Sequence, residues 1–64
     1  MILSNEQKTQ LGNIYRNARN EGNDPFDAVT YVMVALLNAG LARSSKPTRQ
    51  IRALIHAVEA ERNN

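Results

Sequence analysis

The sequence predicts an all-α fold, a compact three-helix bundle with an apolar helix at its centre. Three observations lead there. Two stretches, Leu11 to Ala18 and Ile51 to Val58, repeat apolar residues at the spacing of one helical face. Between them Asp24 to Leu41 carries a start signal, an apolar interior and a stop signal. Gly22-Asn23 joins the first two helices in a very short turn, and Ala42 to Pro47 makes a longer, polar and basic connection to the third.

Helix 1 is expected over about 5–21. Ser4 with Gln7 three residues on forms a capping box. Leu11, Ile14, Tyr15 and Ala18 share one face, and Asn13, Asn17 and Asn20 line another. Gly12 costs roughly 1 kcal/mol relative to alanine inside a helix, and we read the position as tolerated rather than as a close approach of another backbone.

Helix 2, about 25–39, is the central element. Asp24 is a good N-cap, Pro25 suits the first helical position, and Asp27 sets a carboxylate against the positive end of the helix dipole. Gly40 can close the helix in the left-handed conformation, with Leu41 folding back on Leu36. Phe26, Val29, Val32, Met33, Val34, Leu36 and Leu37 cover most of the circumference, so the helix should be covered nearly all round. Two flanking helices leave Val29, Met33 and Leu36 as the residues that neither reaches. A homodimer through those three follows as an expectation, with angled packing inside one chain as its alternative.

Helix 3, about 46–61, is expected to start after Ser45, with Lys46, Pro47 and Thr48 in its first turn; Thr48 is the alternative cap. Ile51, Leu54, Ile55 and Val58 mark its buried face, padded by Ala53, Ala57 and Ala60. Beyond Glu61 the chain reads as a polar tail.

At 64 residues the chain makes one domain, residues 1–64, and a domain of that size buries only about 60% of its unfolded surface. A partner or a second copy would add to a thin margin. There is no cysteine, which excludes disulfides and the usual cysteine-containing zinc sites and fits a reducing compartment. Met1-Ile2-Leu3 runs straight into Ser4-Asn5-Glu6-Gln7, without the basic and apolar regions of a signal peptide. Ala28 to Ala39 is far short of the roughly 20 residues that span a bilayer. A soluble, cytoplasmic protein with no membrane contact is the expectation.

Charge carries the one anomaly. The formal charge is only +2, but Met1 to Thr30 holds four acidic and three basic residues while Tyr31 to Asn64 holds five basic and two acidic. Helices 1 and 2 comply with their dipoles. Helix 3 does the opposite, with Lys46, Arg49 and Arg52 at its positive end, Arg43 just before, and Glu59 and Glu61 at its negative end. An external anion would compensate, either phosphate or the acidic surface of a protein. Carbonyls at the end of helix 2, or Glu6, would be an internal alternative.

No catalytic grouping is present: one histidine, His56, two phenols, Tyr15 and Tyr31, no cysteine and no glycine-rich phosphate loop. His56 with Glu59 makes an incomplete metal site, and capping already explains Asp24 and Asp27. No cofactor or metal is expected. The function that follows is a small non-enzymatic protein-binding module that regulates or inhibits a macromolecular partner through the basic surface of Arg43, Lys46, Arg49, Gln50 and Arg52. The alternative is a DNA-binding regulator in which Gln50 or Arg49 reads a base. The long, polar Gly40 to Ser45 connection argues against a helix-turn-helix, whose turn takes about 3–4 residues.

Overall fold

The computed structural model describes residues 2–64, which form three α-helices: α1 (Asn5–Asn20), α2 (Pro25–Asn38) and α3 (Arg49–Arg62). No strand occurs among the described residues. The Cα radius of gyration, 10.9 Å, matches the roughly 11 Å expected of a folded domain of this length.

Local chemistry sets the helix ends. The Ser4 backbone N–H donates to Gln7 Oε1 at 2.8 Å and the Gln7 N–H donates to Ser4 Oγ at 3.1 Å, so the capping box is complete. Asp24 Oδ1 accepts from the Asp27 N–H at 2.8 Å, with Pro25 at the first helical position. At the other end of α2, Gly40 takes φ 73° and the Leu41 N–H reaches the Leu36 carbonyl at 2.9 Å, which is the Schellman closure that the sequence implies. α1 closes the same way: Gly22 takes φ 100° and the Asn23 N–H donates to the Ala18 carbonyl.

α3 starts three residues later than expected after Ser45. Thr48 is its cap, accepting from the Ile51 N–H at 3.3 Å, and Ser45 lies in the connection. Pro47 explains the delay, because the residue before a proline, here Lys46, is pushed out of the helical region.

The order of packing also differs from the expectation. α1, not α2, is the middle helix: it packs against both others, and α2 and α3 approach each other far less. Gly12 faces α3, and the position is tolerated there rather than required. A Cβ built there would lie 3.6 Å from Val58 Cγ2 and 3.8 Å from Leu54 Cδ1, so side chains and no foreign backbone face it. Those contacts, together with Tyr15 to Glu59 and Arg16 to Glu61, advance along both helices at once. α1 and α3 therefore run in the same direction, with α2 returning between them in sequence.

The core is Leu3, Leu11, Tyr15, Ala18, Ala28, Val32, Met33, Leu36, Ile51 and Val58. Met33 and Leu36 are each 1% exposed, which corrects their expected place on a dimer face: the chain's own core covers them. Val29 is half-buried at its edge. α2 is not covered all round, because Phe26, Tyr31, Val34 and Leu37 remain exposed. Leu54 and Ile55 are only half-buried, and Ala53, Ala57 and Ala60, expected as padding, face solvent. Each fully buried aliphatic side chain contributes about 1.5–3 kcal/mol, and α3 has just two such anchors, Ile51 and Val58.

Candidate functional site

The two ends of α3 meet different fates. Its acidic end docks on α1. Tyr15, 1% exposed, donates its hydroxyl to Glu59 Oε1 at 2.5 Å, and Arg19 Nε donates to the same oxygen at 2.7 Å. Burial, then the bond to Glu59, pushes the Tyr15 phenol up to about 12. The bond from Arg19, then that from Tyr15, holds the Glu59 carboxyl below the usual range, and the Arg19 guanidinium is raised in return. Arg16 Nη2 lies 2.7 Å from Glu61 Oε2, though Glu61 is largely exposed and such a pair adds little. Arg62 reaches Asn20 through Nη1, while its buried Nε stays 3.9 Å from Glu59 without a hydrogen bond.

The basic end is left open. Arg43, Lys46, Arg49, Gln50 and Arg52 are all exposed, and none of the four cations pairs with a carboxylate of the chain among the described residues. Glu6 does not reach them. Arg49, Gln50 and Arg52 stand on the first turn of α3, whereas Arg43 and Lys46 belong to the connection before it. His56 is exposed one turn further on, and no cluster of three potential metal ligands occurs among the described residues.

Beside this surface runs a groove of about 550 Å³. Phe26, Val29, Met33, Val34 and Leu37 of α2 line it, together with Ser45, Lys46 and Pro47 of the connection before α3. Phe26 is 84% exposed, an unusual place for so large an apolar side chain. Thr30, the polar residue in the α2 wall, donates its hydroxyl to the Phe26 carbonyl at 3.1 Å and so has its partner within the helix.

Sequence reasoning found the basic residues but missed two features. One is the Tyr15, Arg19 and Glu59 cluster; its signal was a hydroxyl-bearing residue on the apolar face of helix 1 opposite carboxylates at the wrong end of helix 3. The other is the exposed stripe of α2, for which Phe26 directly after Pro25, in the first turn, was the only sign. Among the described residues no helix is long and apolar enough to cross a membrane. No known protein family, no curated protein and no solved structure matches this chain.

Proposed function

We propose that this chain is a non-enzymatic protein-binding module that regulates or inhibits a macromolecular partner by laying Arg43, Lys46, Arg49, Gln50 and Arg52 on its acidic surface. One observation carries the reading. Both carboxylates of α3 are taken up by arginines of α1, whereas the cations at its start have no carboxylate partner among the described residues. Four exposed cations around one helix start repel one another and oppose the helix dipole, so an acidic partner gains from both. A cytoplasmic setting belongs to the same reading.

A second reading, DNA binding, is favoured by Arg49, Gln50 and Arg52 standing exposed on one helical turn. It lacks the tight turn of a helix-turn-helix, since α2 and α3 are separated by Ala39 to Thr48. Fluorescence anisotropy of a labelled duplex at several salt concentrations separates the two. The protein-binding reading expects no duplex binding even at low salt, and a bound protein recovered from cells that is lost with Arg49→Ala and Arg52→Ala together. Salt-sensitive duplex binding, with a slope that falls by about one for each phosphate contact removed, would replace it with the DNA reading.

A further inference from the structure

We infer that the exposed stripe of α2 is covered by the same stripe of a second copy, with the two helices antiparallel. Phe26, Thr30, Val34 and Leu37 follow one another at helical spacing along the groove. They span about 16 Å of helix at 1.5 Å per residue, nearly the whole length of α2. Nothing in this seam is left unpaired when water is removed, because the Thr30 hydroxyl is already bonded within the helix.

Charge selects the occupant. Asp24 and Asp27 stand at the start of α2, and no basic residue lies in its last turn. The connection that leaves the other end carries Arg43 and, on the groove wall, Lys46. A helix that is acidic at its start and followed by a basic connection complements its own copy turned end for end. In that arrangement Phe26 of one copy meets Leu37 of the other, Thr30 meets Val34, and each acidic start faces the other copy's basic connection. Each α2 start then also lies beside the negative dipole end of the other. A parallel pairing would instead set like charges together. The contact involves one helix face and one loop per chain, so it falls at the small end of protein interfaces, below about 1,200 Å² in total, and dimerisation in the micromolar range is expected. It draws Arg43 and Lys46 away from the basic surface but leaves Arg49, Gln50 and Arg52 open, so a dimer and a partner bound through those three are compatible.

Sedimentation velocity between about 5 and 500 μM tests it. The mass should climb with concentration from the 7.2 kDa of one chain toward twice that value, and Phe26→Asp should keep it at 7.2 kDa throughout. Phe26 is exposed in the monomer, so an unchanged helical circular dichroism spectrum should accompany the loss. The chain has no cysteine, which allows a second test of direction. Mixed Phe26→Cys and Leu37→Cys variants should form a mixed disulfide under mild oxidation, and each variant alone should form far less. A monomer at every concentration, a dimer indifferent to Phe26→Asp, or preferential linkage of Phe26→Cys to itself would each overturn the inference.

Discussion

Replacing Tyr15 by phenylalanine isolates one interaction on which the seating of α3 depends. The ring stays, so the packing of a residue that is 1% exposed is retained, and only the hydroxyl that donates to Glu59 at 2.5 Å is lost. A hydrogen bond to a charged group contributes about 1.5–3 kcal/mol. Glu59 keeps Arg19 at 2.7 Å, so its carboxylate is not orphaned and the loss should fall near the lower figure. A domain of this length is stable by roughly 3–10 kcal/mol, which makes the loss a large share of the whole. In thermal melts followed by circular dichroism at neutral pH, Tm should drop by about 6–12 °C. The variant should also change the alkaline limb. The Tyr15 phenol holds its proton up to about 12 in the folded chain against 10.0 ordinarily, so the folded state binds that proton more tightly. Its contribution is complete below pH 10.0 and is lost as pH rises through about 12. Urea unfolding at about pH 9 and about pH 11 should show a decline in the parent chain that Tyr15→Phe lacks. A variant as stable as its parent at neutral pH, or one with the same alkaline decline, would refute the role given to the hydroxyl.

Three further outcomes follow from the packing. Gly12→Ala should raise stability by up to about 1 kcal/mol in chemical denaturation, because the new methyl meets Val58 and Leu54 at ordinary contact distance while the helix gains a better former. Met33→Ala should cost about 2–5 kcal/mol in the same experiment, since Met33 belongs to the core of the single chain; a loss that depends on protein concentration would return it to an interface. Thr48→Ala should cost about 1 kcal/mol and lower the helical signal, whereas Ser45→Ala, outside α3, should change neither measurably.

How far each feature could be read from the sequence depends on the range of the forces behind it. Capping boxes, proline at a first turn and glycine after a last turn act within four residues, so Ser4, Asp24 and Gly40 end their helices where local chemistry says they should. Even the late start of α3 was a local matter, a competition between Ser45 and Thr48 that Pro47 decides. The candidate basic site was legible for the same reason, because a cation at a helix start is wrongly placed whatever surrounds it. What that placement does could not be read. Whether Arg49 and Arg52 stay free depends on whether another element brings a carboxylate beside them, and none does among the described residues, while Glu59 and Glu61 at the far end of α3 turn to Arg19 and Arg16 some forty positions away in sequence.

The chain by itself therefore determined three helices, the caps of the first two, their apolar faces and a basic start to the third. Only the tertiary structure decided which helix lies in the middle and which apolar residues remain outside. Periodicity shows that a face is apolar but not what covers it: Met33 and Phe26 lie on the same apolar helix, and packing against α1 buries one and leaves the other in water. α1 packs against both neighbours, and the outer stripe of α2 is left uncovered.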